Sequence, residues 1–305
     1  MSIRLGLQIP NFSYGTGVAD LFPTVVAQAR EAEAAGFDAV FVMDHFYQLP
    51  MLGAPDEPML EAYTALGALA TATERVALGT LVTGNTYRNP TLLAKAITTL
   101  DVVSQGRAVL GVGTGWFELE HTQLGFEFGN FTERFAKLDE ALQILLPMLA
   151  GERVTFDGRY YRTEQAVAVP RFRDHIPLMI GGSGEKKTFG LAARHFDHVN
   201  VIASFDELPG KVAAIKARCD EVGRDPSTLE TSALLTAVPD PSFTDDMLPP
   251  AMRGRMVVGS ADRIAASVQA NVVDAGIDGV IVNLPRYVPG SIATVGAALR
   301  EVVGR

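Results

Sequence analysis

The sequence predicts an α/β protein folded as one (β/α)8 TIM barrel, with insertions after strand four and before strand five. Three observations lead there. About eight short apolar runs alternate with amphipathic stretches over 305 residues, a length typical of a single barrel. The run Ala39-Val40-Phe41-Val42-Met43 is apolar without alternation, as a strand covered on both faces in a parallel sheet must be. No linker or shift in composition divides the chain, so residues 1–305 read as one domain. An open, doubly wound sheet is the alternative architecture, and an unbroken series of units favours closure over it.

Each unit can be justified in turn. Residues 3–9 form the first strand, which stops at Pro10-Asn11 and leads through a glycine-bearing loop to an alanine-rich helix at 22–35, ended by Gly36. The second strand, 37–43, delivers Asp44 and His45 to its carboxyl end; the proline-rich stretch 47–58 is a loop, and a helix follows at 61–73. Strand three covers 75–82, with a loop at 83–90 and a helix at 91–104. Strand four, 107–112, breaks into Gly113-Thr114-Gly115-Trp116, and 117–132 reads as an elaborated loop before a long helix at 133–149. Asp157-Gly158, between 154–156 and 160–161, signals an inserted hairpin. Parallel units resume with strand five at 177–180, the turn Gly181-Gly182-Ser183-Gly184 and a helix at 185–195. Strand six is expected at 199–202, its helix at 206–222, strand seven at 229–237, a helix at 260–275, strand eight at 279–283 and a closing helix at 292–303. The insertion loops then fall at about 114–133, 151–176 and 238–252.

Composition narrows the function. A net charge of −9 and a pI near 5.1 argue against a nucleic-acid surface, which draws on clustered positive charge. A 48% hydrophobic content and a mean hydropathy of +0.17 supply a large core, yet no apolar run approaches membrane length. The first residues enter a strand without the charged head and apolar run of a signal peptide, so the expected compartment is the cytoplasm. Cys219 is the only cysteine, which excludes an intrachain disulfide and a cysteine-rich metal site. Glu118, Glu120 and His121 share one stretch, and His195 and His198 lie close together, but neither group has zinc-site spacing, so no metal is expected. His195 and His198 read as helix-end or surface residues. No Gly-x-Ser-x-Gly elbow is present.

In a barrel every βα loop opens on one face. Asn11, Asp44, His45, Thr83 to Tyr87, Thr114 to Trp116 and Gly181-Gly182-Ser183-Gly184 are therefore expected to converge there. The glycine turn is the best phosphate candidate: glycines let backbone approach an anion, a helix start offers free N–H groups, and Lys186 and Lys187 add charge. It is not a P-loop, because Glu185 precedes Lys186 where that motif needs glycine. The competing reading is a tight turn with solvated lysines. Gly111-Val112-Gly113-Thr114-Gly115-Trp116 departs from the dinucleotide fingerprint, whose third glycine is Trp116 here. Its glycines suit close passage of a strand end past a planar ligand, with Trp116 either a stacking wall or a packing residue. For Asp44 and His45 the plain alternative is a turn carboxylate and a rim imidazole bonded to backbone.

Taken together, Asp44-His45-Phe46, Leu78-Gly79-Thr80-Leu81-Val82-Thr83, Arg88-Asn89-Pro90, Gly111 to Trp116, Glu120-His121 and Ile180 to Lys186 resemble the bacterial luciferase-like monooxygenase superfamily. Their spacing resembles its branch that uses the deazaflavin coenzyme F420. The resemblance implies a TIM barrel, usually a homodimer, that holds the coenzyme at the carboxyl ends of its strands. It maps a non-prolyl cis peptide onto Leu81-Val82 behind the ring, with Thr83 and Gly113 beside it, and the phosphate loop onto Gly181, Gly182, Ser183 and Gly184. Asp44 and His45 match positions that meet the deazaflavin. His45 is then expected to pass the compensating proton and Asp44 to orient it or touch the ring, with Asn11 and Trp116 on the substrate side. Sugar-phosphate dehydrogenase members carry a glutamate where Trp116 stands, so their acid–base arrangement is incomplete here and an apolar or planar substrate is expected. Hydride transfer between coenzyme F420 and such a small molecule is the leading expectation. The alternatives are an FMN-dependent two-component monooxygenase, with Trp116 and Phe117 drying the pocket, and a deazaflavin-binding protein without turnover.

Overall fold

Strands whose side chains are buried on both faces need cover inside and outside, and a closed barrel ringed by helices provides both. The computed structural model describes residues 2–248 and 252–304. Its staves are β1 (Leu5–Ile9), β2 (Ala39–Val42), β3 (Ala77–Thr80), β4 (Ala108–Gly113), β5 (Leu178–Gly181), β6 (His198–Val201), β7 (Glu230–Val238) and β8 (Gly279–Asn283). All pair in parallel with their sequence neighbours, and β8 returns to β1 with Leu5 opposite Val280, which closes the ring. Alternation along each strand divides two cores. Val40, Val42, Leu110, Val112 and Val280 point outward to the helices, while Phe41, Val109, Met179 and Ile281 fill the barrel.

The helices are α1 (Val18–Ala34), α2 (Ala62–Ala72), α3 (Pro90–Val103), α4 (Glu118–Leu124), α5 (Phe131–Leu149), α6 (Lys187–His195), α7 (Leu208–Glu221), α8 (Ala261–Val268) and α9 (Ser291–Val302). Local chemistry sets their starts. Asn89 accepts the Thr91 N–H with Pro90 in the first turn of α3, and an Asn130–Glu133 capping box opens α5 two residues before the expected 133. Among the described residues, no helix is long and apolar enough to cross a membrane.

The structure departs from the expected elements in four places. Residues 117–132 contain α4, a two-turn helix ended by Gly125 at φ +77°; its buried residues are Glu120 and His121, so the apolar stripe that usually betrays a helix is missing. The inserted hairpin pairs Val154–Asp157 with Arg162–Ala166, and Tyr160 and Tyr161 stay out of it because their N–H groups donate to Glu140 on α5. The helix expected at 260–275 changes after Val268 to a wider π turn over Gln269–Val273. A short strand, Met256–Val258, pairs with the upper end of β7. Residues 249–251 of the expected loop 238–252 lie outside the described residues. His198 is no surface residue: it sits in β6, buried inside the barrel, with Nε2 at 2.7 Å from Ser232 Oγ. His195, by contrast, does end α6.

Candidate active site

Asp44 and His45 follow the end of β2, and their side chains go to different partners. Asp44 turns to a buried ion pair: the Arg88 guanidinium donates to it twice, at 2.5 and 2.7 Å, and the Gly84 N–H adds a third bond at 3.0 Å. Its oxygens do not meet the imidazole, which corrects the expectation that Asp44 orients His45. That task falls to Glu120. One Glu120 oxygen lies 2.9 Å from His45 Nδ1 and also accepts the Tyr87 hydroxyl; the other accepts the Phe46 and Tyr47 N–H groups at 2.5 and 2.8 Å.

Glu120 is wholly buried, and burial alone would raise its carboxyl. The bonds from His45, Tyr87 and the Tyr47 N–H outweigh that and hold it below the usual carboxylate range. Burial and the Glu120 charge both push the Tyr87 phenol up, so it stays a donor. A charged carboxylate accepting at Nδ1 requires a proton there, which makes Nε2 of the neutral ring the free acceptor. His121 buttresses the pair: its Nδ1–H donates to the Phe117 carbonyl, Nε2 lies 2.7 Å from Thr86 Oγ1, and its ring stacks on Tyr87 at 4.8 Å.

After β3 the chain bulges inward. The Leu81-Val82 peptide is cis, and Gln8 Nε2 bonds the Leu81 carbonyl at 3.1 Å from inside the barrel. Asn283 Nδ2 holds Gln8 Oε1, and Thr236 Oγ1 holds Asn283 Oδ1, so three strands fix the bulge. Thr83 is tied by its hydroxyl to Tyr63 and Thr80. The glycines of β4 make room for this backbone: a Cβ on Gly111 would stand 2.1 Å from the Thr80 carbonyl oxygen, and one on Gly113 2.9 Å from Val82 Cγ2. The close approach they allow is therefore first to protein.

Across the mouth, β5 ends in the turn 181–184. Gly182 has φ +139°, a conformation L side chains rarely adopt, and its N–H donates to the Asn200 carbonyl at 3.0 Å. A cavity of about 640 Å³ opens between this turn and the bulge. Asp44, His45, Leu81, Val82, Thr83, Gly113, Trp116, Gly181, Gly182, Ser183 and Gly184 all line it, joined by Tyr87, Phe131, Phe135, Lys186, Lys187 and Ile202. Trp116 is 56% exposed at its rim, edge-on to His45 with ring centroids 5.7 Å apart, so it is not a core residue.

Asn11 stands apart. Its Nδ2 donates to the Pro285 carbonyl, and it lines a separate cavity with Tyr14, Glu57 and Arg286. Sequence reasoning placed Tyr87 among the converging loops but missed Glu120 and Arg88 as parts of the site, and 75 residues separate Glu120 from His45. The only signal was their presence in the Arg88-Asn89-Pro90 and Glu120-His121 runs. Among the described residues, no group of three or more His, Cys, Asp or Glu side chains is placed to hold a metal.

Comparison with known proteins agrees with this architecture. The luciferase-like monooxygenase family matches residues 3–245. The F420-dependent glucose-6-phosphate dehydrogenase of Nakamurella multipartita is 40% identical over 179 residues, 58% of this chain and 52% of that one. The F420-dependent hydroxymycolic acid dehydrogenase of Mycobacterium tuberculosis is 33% identical over 215 residues, 70% of this chain and 58% of that one. The chain thus spans a little over half the length of these curated relatives. Among solved structures, an F420-dependent secondary alcohol dehydrogenase in complex with an F420-acetone adduct superposes with a TM-score of 0.86 at 21% identity, over 100% of both chains. The chain belongs to the luciferase-like monooxygenase family.

Proposed function

We propose that the protein is an oxidoreductase that moves a hydride between coenzyme F420 and a small alcohol or carbonyl compound with apolar substituents. The observation that carries the reading is that one cavity holds both an imidazole with a free Nε2 and a glycine turn ahead of a helix. The names of the curated relatives favour the deazaflavin over FMN. The residues suit such a group. Gly184 leaves a cradle that a Cβ would fill, 2.9 Å from Thr188 Oγ1, and about 640 Å³ is within the range of cofactor pockets. Turn 181–184, the start of α6 and the charges of Lys186 and Lys187 would hold the phosphate. Leu81 and Val82 would back the ring, with Thr83 and Gly113 beside it; Asp44, locked by Arg88, shapes that wall.

When bound, the coenzyme supplies a two-electron hydride acceptor or donor. His45 Nε2 takes the hydroxyl proton of an alcohol as its carbon gives up hydride, and returns it to the carbonyl oxygen in the reverse direction. Glu120 holds the ring in the competent tautomer and offsets the positive charge that forms on it. Trp116 and Ile202 give the substrate side apolar surface, while the Phe131 and Phe135 rings on the side of the glycine turn carry the Lys187 ammonium. The test is a panel of secondary alcohols and sugar phosphates with coenzyme F420, followed by loss of coenzyme absorbance. Turnover of apolar alcohols over sugar phosphates is expected; sugar phosphates as the better substrates would contradict the substrate class.

A further inference from the structure

Residues 44 and 45 of one loop are tied to residues 88 and 87 of another. Asp44 takes the Arg88 guanidinium, while His45 shares Glu120 with the Tyr87 hydroxyl. Two buried carboxylates therefore stand close to one imidazole: Glu120 lies 2.9 Å from Nδ1, and Asp44 precedes His45 in the chain and lines the same cavity. A carboxylate beside an imidazole favours its charged form, and two acting together would keep the ring protonated before an alcohol arrives. Among the described residues, the remaining titratable groups nearby are placed otherwise. Tyr87 stays protonated, and burial holds His121 below the usual imidazole range, so it is neutral at pH 7. Glu118 is exposed, Arg134 lies over the Phe128 ring, and Lys186, Lys187 and Glu185 line the far side of the cavity, with Glu185 paired to Lys211.

Arg88 makes the two carboxylates different. It meets both Asp44 oxygens, at 2.5 and 2.7 Å, in a pair whose side chains are only 10% and 1% exposed. Burial would lower the guanidinium, but the bonds to Asp44 raise it, and Glu61 at 3.0 Å and the Tyr63 ring at 4.9 Å hold it in place. Both charges reach the groups around His45. At the Tyr87 hydroxyl, after burial and Glu120 have pushed the phenol up, Asp44 pushes it further and Arg88 pulls it back. The pair also fastens the chain beyond the bulge, through the Gly84 N–H on Asp44, without adding net charge. We propose that Arg88 is a positioning residue for proton transfer: by cancelling Asp44 it leaves Glu120 as the carboxylate to which His45 responds, so the ring is free to accept a proton. The inference rests on the functional reading above, in which His45 Nε2 takes the hydroxyl proton.

The experiment follows the ring signals of His45 by NMR across pH in the whole chain without coenzyme, beside the pH profile of alcohol oxidation with coenzyme F420. His45→Ala identifies the signal among the five histidines. Arg88→Met uncovers the Asp44 charge and should move the His45 midpoint, and the acid limb of the rate profile, upward by about one pH unit or more. Asp44→Asn uncovers the Arg88 charge and should move both downward. The double variant carries neither charge, and Arg88→Lys keeps the cancellation, so both should stay close to the wild type. A purely structural pair lowers stability but leaves the midpoint in place, or moves it the same way in both single variants; either result overturns the proposal. Removing one partner of a buried pair can prevent folding. If Arg88→Met does not fold, Asp44→Asn and the double variant decide, and equal midpoints in those two overturn the proposal. Opposed shifts in a protein that oxidises no alcohol overturn the functional reading alone, whereas turnover with an unshifted midpoint overturns the role of Arg88 alone.

Discussion

At the scale of single residues, the account turns on how His45 is held. His45→Ala removes the proposed proton carrier and leaves the glycine turn and the bulge untouched. Turnover should therefore fall by roughly 10²- to 10⁴-fold while coenzyme affinity, read by fluorescence titration, changes little. Glu120→Gln keeps the shape of the side chain and removes its charge, so the tautomer is no longer enforced and the imidazolium is no longer offset. We expect turnover to drop by about tenfold or more with coenzyme affinity again preserved; an equal loss in both would recast Glu120 as part of the cofactor wall. His45 was legible in the sequence because it ends an uninterrupted apolar strand. Its partner was not, since the neighbouring carboxylate, Asp44, points the other way, and the carboxylate that does reach it comes from a helix without an apolar stripe.

At the scale of elements, two contacts fix the strands that carry the site. Glu230, at the start of β7, accepts the Ile3 N–H ahead of β1 and lies 3.5 Å from His198 of β6, so it ties three staves together. Burial alone would raise its carboxyl, but bonds from His198, Ser2 and the Ile3 N–H lower it from 4.5 to about 2. A depressed carboxylate contributes stability that is complete above its unfolded value near 4.5 and is lost as pH falls toward about 2. Glu230→Gln should then melt below the wild type at pH 7, with the gap closing between pH 4.5 and 2; a gap independent of pH would show that the ionised carboxylate is not what matters. Gly111→Ala forces a Cβ against the Thr80 carbonyl, where only backbone can yield, and overpacking of this kind costs about 1–3 kcal/mol in chemical denaturation. Strand and helix order was legible from periodicity and turn residues. The bulge was expected only through family resemblance, because nothing in the local run Leu81-Val82-Thr83 marks an inward turn; it depends on Gln8, Asn283 and Thr236, far away in sequence.

At the scale of the whole molecule, closure of the ring gathers the ends of β2, β3, β4 and β5 around one cavity, and the chain's chemistry collects there. Counting units along the sequence was enough to predict this convergence, since every βα loop of a barrel opens on the same face. It was too coarse to say which loops share a pocket: Asn11 emerges at that mouth but bonds the Pro285 carbonyl and lines a cavity of its own. A ligand that binds only the folded barrel must also stabilise it. At a hundred times its dissociation constant, coenzyme F420 should add about 2.7 kcal/mol and raise the melting temperature by several degrees, readable by calorimetry.

The most direct test of a shared deazaflavin cavity is a titration of Trp116 emission, because this half-exposed rim residue is the only tryptophan in the chain. Coenzyme F420 should quench it saturably, and FMN at the same concentrations should leave it nearly unchanged. Quenching by FMN at equal or lower concentration, or an emission indifferent to coenzyme F420, would contradict the account.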